Sequence, residues 1–405
     1  MTDATIPAAL RRRREYSGPA IFSYGFRPFF FAGAAWAALG VLLWLPQYFG
    51  EMALPTAMAP LDWHIHEMVF GYVAAVVAGF LLTAIPNWTG RLPVNGWPLA
   101  ALVALWLAGR LANATSALVG AGVAGVVDVA FLLALAAVAA REIVAGENWR
   151  NLRVLAMIGM LIVGNVVFHA ETFFHGSANY GIRISLAAVL GLIMLVGGRI
   201  VPSFTHNWIA RNNPGRLPQS FSRFDAVSLA AGVAALLCWV VLPFHLATGW
   251  ALLAAGALHF ARLLRWAGDR TTADRLVLVL HAAYAFVPAG FALLGFAILA
   301  PQFWPASAGL HAWAAGGIGM MTLAVMTRAS LGHTRRGLSA SILTQLIYLC
   351  ALIAALSRIA AAFAPSVELL HIAAGAWVLA FGGFAVVYGP MLFRPIAVNR
   401  GPDCG

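Results

Sequence analysis

A chain of 405 residues that is 62% hydrophobic and 10% charged, with mean hydropathy +0.85, cannot cover its surface in water; soluble domains carry about 25% charged residues. Its 25 basic residues are all arginine, and the net +11 falls in short stretches between apolar runs, which argues against nucleic acid as a partner. The absence of lysine excludes a lysine nucleophile or Schiff base, and the unpaired spacing of Cys238, Cys350 and Cys404 indicates neither disulfides nor a thiolate metal site.

Residues 1–28 hold Arg11 to Arg14 and show no small-residue cleavage site, so they read as a cytoplasmic segment and not as a signal peptide. From 29 to 393 the chain reads as an all-α membrane bundle, each crossing needing about 20 mostly apolar residues. Twelve runs qualify: 29–46, 65–86, 97–113, 117–139, 152–174, 183–204, 225–247, 249–266, 277–300, 306–327, 338–363 and 367–393. The eighth is short and its turn at 247–249 tight, so eleven or thirteen stay open at this stage. Residues 394–405 form a tail. With twelve crossings nearly all arginines fall on the side of the termini, and only Arg110, Arg183 and Arg358 fall opposite. Positive loops stay inside, so both termini are expected in the cytoplasm.

Eleven histidines are many for so apolar a chain. Counting along the helices puts His64, His66, His169, His175, His245, His311 and His371 near the outer leaflet. His206 and His333 fall at the inner surface, with His259 and His281 in the inner halves of the eighth and ninth helices. Polar groups inside a membrane are expensive and often functional, and a neutral imidazole is a good ligand for haem iron or copper. A single histidine at a helix end is more often hydrogen-bonding glue; several at one depth suggest a site. In Asp62-Trp63-His64-Ile65-His66-Glu67, positions two apart point about 200° apart on a helix. The pair therefore divides between two centres, or between a ligand and a supporting group. Glu67 could hydrogen-bond an imidazole, or simply face the helix dipole.

Arg199 and Arg328, near inner helix ends, could snorkel or pair with a haem propionate. Asp128 and Glu171 lie in apolar runs with no visible partner. A faint echo links His66, Thr89 and Arg91 to His311, Thr334 and Arg336, with spacings of 23 and 25 residues in each set. Walker A, dinucleotide and CxxCH motifs are absent.

Several stretches together resemble the NnrS family. They are Trp63-His64-Ile65-His66-Glu67-Met68-Val69-Phe70-Gly71 running on to Pro86-Asn87-Trp88-Thr89-Gly90, then Gly198-Arg199-Ile200-Val201-Pro202, then Leu280-His281-Ala282-Ala283-Tyr284, and finally His311 through Thr327-Arg328 to His333-Thr334. The resemblance implies a twelve-span bacterial inner-membrane protein with haem b and copper, linked to denitrification and nitrosative stress. Carried onto this chain, it implies cofactor-binding roles for His64, His66, His169, His281, His311, His333, Arg199 and Arg328, with Glu67 beside the metal-ligating histidines His64, His66, His169 and His311. Arg335 stands where the family has glycine, and the tail after Pro395 departs from its usual ending. Haem–copper oxidases are an analogy of architecture only, because they place several histidines on the tenth helix and here that helix holds His311, with His333 beyond its end.

Two functions are weighed. One is a redox metalloprotein, an oxidoreductase if nitric oxide is its substrate, that binds nitric oxide or another diatomic and takes electrons from a membrane or periplasmic donor. The other is a proton- or metal-coupled transporter using the same histidines and carboxylates.

Overall fold

The computed structural model describes residues 16–395; Arg11 to Arg14, Arg400 and Cys404 lie outside the described residues. Among the described residues every regular element is helical, and twelve helices are long and apolar enough to cross a membrane. They are α1 (Phe26–Tyr48), α2 (Pro60–Thr89), α3 (Gly96–Ala114), α4 (Ala121–Ala145), α5 (Trp149–His175), α6 (Tyr180–Asn212), α7 (Arg223–Val241), α8 (Leu246–Arg270), α9 (Arg275–Leu299), α10 (Ala306–His333), α11 (Ile342–Phe363) and α12 (Val367–Phe393). An even number of crossings brings Phe26 and Phe393 to one end of the bundle, here called the terminal end. Large apolar residues stay exposed in mid-helix, among them Leu133, Leu237, Leu349 and Leu379. A surface facing hydrocarbon requires this, because there the backbone is satisfied inside each helix and apolar side chains face outward.

Several boundaries differ from the sequence expectation: α2 starts at Pro60 and not at 65, α4 ends at Ala145 and not at 139, α6 ends at Asn212 and not at 204, and two more have a plain local cause. α7 ends at Val241 and not at 247: Leu242 precedes Pro243 and leaves the helical region at φ −127°, as a residue before proline tends to do. His245 thereby becomes the N-cap of α8, its Nδ1 accepting the Ala247 N–H at 3.2 Å, and α8 is of full length. α10 continues past 327 to His333, because the polar Thr327 and Ser330 are buried against other helices and do not mark an exit. The count of twelve holds.

Consecutive helices pack on one another, and α12 packs on α1 to close the ring. At that seam Arg27 donates through Nη1 to the carbonyls of Leu392 and Arg394, both at 2.8 Å, and the Trp377 indole donates to Ala37 O at 2.9 Å. Three spans form the interior. In α2, α6 and α10, 72–78% of the most apolar stretch is buried, against 33% in α3, α5, α7 and α11. The same three carry π-helical segments, Glu67–Val73, Ile193–Gly197 and Ala312–Met320. A π turn spends an extra residue and re-aims the side chains around it, often at functional sites. In α2 and α10 the widened segment begins directly after His66 and His311, so the echo in the sequence has a structural counterpart.

Candidate metal centre

α2 begins at Pro60, whose fixed φ suits a first helical position and whose missing N–H needs no partner there. One turn on, His64 and His66 diverge as their spacing demands. His66 is fully buried and turns toward α4 and α5. His64 lies against Trp44 of α1, ring centroids 4.1 Å apart and nearly parallel.

Around His66 three atoms from three spans converge. His66 Nε2 lies 3.1 Å from Asp128 Oδ2 and 3.2 Å from His169 Nε2, and His169 Nε2 lies 3.2 Å from the same Asp128 oxygen. These are the only three His, Cys, Asp or Glu side chains among the described residues grouped closely enough to hold a metal ion. The triangle is small and nearly equilateral. A four-coordinate ion with bonds of about 2.0–2.1 Å has ligand–ligand edges of roughly 3.3 Å, so the spacing is that of one face of such a site.

The groups behind the triangle fix its protons. Glu67 carboxylate can only accept, so His66 Nδ1–H donates to Glu67 Oε1 at 3.0 Å and Nε2 is left as a lone-pair atom. Trp36 donates to Glu67 Oε2 at 2.7 Å and Arg110 Nη1 to the same oxygen at 2.8 Å. Arg110 Nη2 also donates to Asp128 Oδ1, and Asn165 donates to Asp128 Oδ2 at 2.8 Å. With His66 neutral, its Nε2 and Asp128 Oδ2 are both acceptors, facing each other in a buried site. Two carboxylates against one guanidinium also leave one negative charge unbalanced. Either a metal ion in the triangle or a proton between the two atoms would answer both.

A cavity of about 330 Å³ lies on the other side of His64. His64, His311 and Arg358 supply its basic groups, and Trp44, Tyr72 and Trp377 much of its aromatic wall. His311 Nδ1–H donates to Ser307 O at 2.7 Å, leaving Nε2 as its free lone pair. His64 Nδ1 is buried without a hydrogen-bond partner. Two imidazoles with uncommitted nitrogens in an apolar chamber suit a flat apolar cofactor that takes axial nitrogen ligands.

The expected site residues therefore separate. His66 and His169 meet, with Glu67 supporting; His64 and His311 share the cavity. Arg199, Arg328 and His333 line a second cavity at the terminal end. His281 stands apart: its Nε2–H donates to Thr205 Oγ1 at 2.8 Å, since that hydroxyl spends its own proton on Val201 O. Sequence reasoning saw Asp128 without a partner and took Arg110 for a marker of the outer surface. The structure buries both and pairs them. Asn165 was not singled out at all, although it sits four residues before His169 on the same helical face. Glu171 is a cap, its carboxylate accepting the backbone N–H groups of Asn179, Tyr180 and Gly181 at 2.8–2.9 Å.

The profile of the NnrS protein family matches residues 20–395. The chain belongs to the NnrS family. No curated protein matches it. The NnrS match takes in all twelve spans, and every residue of the triangle and of both cavities lies within it.

Proposed function

We propose that this protein is a haem- and copper-containing membrane protein of nitric-oxide metabolism, which binds or redox-processes nitric oxide at a histidine-ligated metal site. Copper is assigned to His66 Nε2, His169 Nε2 and Asp128 Oδ2, a nitrogen- and oxygen-donor set that suits it. Haem b is assigned to the smaller cavity, with His64 and His311 as its ligands and Arg358 for an acidic edge group. The observation that carries the reading is the facing pair of acceptors, His66 Nε2 and Asp128 Oδ2, 3.1 Å apart in a site with one uncompensated negative charge.

The metals would supply redox change and a coordination position for a diatomic ligand. The chain's own part is positional. Glu67 holds the His66 tautomer, Arg110 and Asn165 hold Asp128, and the surrounding helices keep water out. Nitric oxide is apolar enough to concentrate in lipid, so a site between helices meets it there. Electrons would come from a donor in or beside the membrane.

The test is metal analysis and optical spectroscopy of purified protein, oxidised and reduced, before and after anaerobic nitric oxide. Bound copper together with b-type haem bands that shift on adding nitric oxide is the expected result. Protein made with haem and copper in supply that carries neither would sink the reading. A second reading then leads, because the same charge imbalance also fits a proton shared between His66 and Asp128. The protein would be a proton- or metal-coupled transporter, and proteoliposomes would show proton flux that Asp128→Asn abolishes.

A further inference from the structure

The larger cavity, about 580 Å³, opens at the terminal end between α1, α2, α5, α6 and α10. Its walls are mostly apolar, with Phe30, Phe80, Trp88 and Phe204 prominent. Two arginines line it, Arg199 from α6 and Arg328 from α10, and among the described residues no carboxylate does.

Among the described residues neither arginine makes a hydrogen bond or an ion pair. Arg328 lies with its guanidinium 4.2 Å from the centre of the Phe204 ring, and its Nη1 is buried without a hydrogen-bond partner. The carboxylate that acts on it electrostatically, Asp274, makes no hydrogen bond to it; its Oδ1 caps α9, accepting the N–H groups of Leu276 and Val277 at 2.9 and 3.3 Å. Arg199 feels Arg150 and Arg153, which add to its positive field. Among the described residues it makes no ion pair. Arg110 and Arg262, both fully buried, differ: Arg110 faces two carboxylates, and Arg262 donates to Asp225 at 3.1 Å. Arg328 is half-buried and Arg199 exposed; a buried guanidinium nitrogen left without a partner, as Arg328 Nη1 is, is costly, and guanidinium forks match carboxylate and phosphate.

We infer that this chamber is a binding site for an amphiphilic anion, whose apolar body packs on the aromatic walls while its carboxylate or phosphate head pairs with Arg199 and Arg328. The inference is independent of the metal triangle, which lies toward the other end of the bundle. Two sources share this chemistry: an anionic membrane lipid, and a porphyrin bearing carboxylates.

The test uses the full chain in nanodiscs of phosphatidylcholine, with and without phosphatidylglycerol, comparing wild type with Arg199→Gln, Arg328→Gln and the exposed control Arg211→Gln. Melting temperature, co-purifying lipid and Soret absorbance per chain are read together. With a lipid occupant, phosphatidylglycerol raises the wild-type melting temperature and co-purifies. Each cavity variant then loses the shift and binds about tenfold more weakly, while Arg211→Gln behaves as wild type. With a porphyrin occupant, the cavity variants lose Soret absorbance in phosphatidylcholine alone. If Arg199→Gln and Arg328→Gln keep their haem content, and phosphatidylglycerol neither co-purifies nor stabilises wild type more than these variants, the inference is overturned. Phosphatidylglycerol stabilisation that high salt removes equally from all four proteins also overturns it, since that marks attraction at the exposed surface.

Discussion

His66 and His169 approach through their Nε2 atoms, 3.2 Å apart, from helices whose sequence positions are 103 residues distant. Two imidazole nitrogens held so closely beside a carboxylate oxygen have the spacing of a coordination face, and the contacts behind them resemble those that orient ligands in metal proteins.

Removing one corner should empty the triangle. His169→Ala and Asp128→Asn are each expected to lower bound metal to background in elemental analysis. They should differ in stability. His169 is partly exposed, whereas in Asp128→Asn an amide N–H replaces one of two buried oxygens that accept from Arg110 and Asn165, and leaves that donor unpaired, a loss of about 1–3 kcal/mol. A clear fall in melting temperature for Asp128→Asn alone checks the difference.

Glu67→Gln keeps the shape of the supporting group and removes its charge. Metal affinity measured by chelator competition should fall by about 10–100-fold, with the coordinating atoms unchanged. An unaltered affinity would show that Glu67 serves only the helix and Arg110.

Gly71 tests how tightly the widened turn of α2 is packed. A Cβ there would stand 2.6 Å from Trp36 Nε1 and 2.8 Å from Glu67 Oε2. Gly71→Ala should therefore destabilise by roughly 1–3 kcal/mol and loosen the metal, whereas Gly375→Ala, with open space around it, should be neutral or slightly stabilising. Thermal unfolding in detergent reads both.

In the smaller cavity, His64→Ala and His311→Ala are expected to lose Soret absorbance. His245→Ala removes an exposed N-cap acceptor, which should lower stability by about 1 kcal/mol or less and leave the spectrum intact. Full haem retention in both cavity variants would withdraw the ligand assignment.

The twelve crossings were legible because each is a long apolar run, and the division of His64 from His66 followed from helical periodicity alone. The end of α10 was not, since Thr327 and Arg328 look like an exit from the bilayer when only their polarity is read; their burial is a property of neighbouring helices. The partners of Asp128 were hidden for the same reason. Arg110 is 18 residues away but on another span, and His66 and His169 come from two more, so no local pattern joins them. Depth was the available clue, because all four lie within a few turns of the same end of the bundle.

The order in which the spans are made gives the ring seam a consequence for biogenesis. Every residue of the metal triangle and its supports lies on α1 to α5, so that centre is complete before half the chain has been synthesised. The smaller cavity instead takes walls from the first span, through Val41 and Trp44, and from the last, through Leu370, Ala373 and Trp377. It does not exist until α12 has docked on α1. A chain released early would keep the first centre and lack the second, and any cofactor of the cavity must be loaded after translation ends.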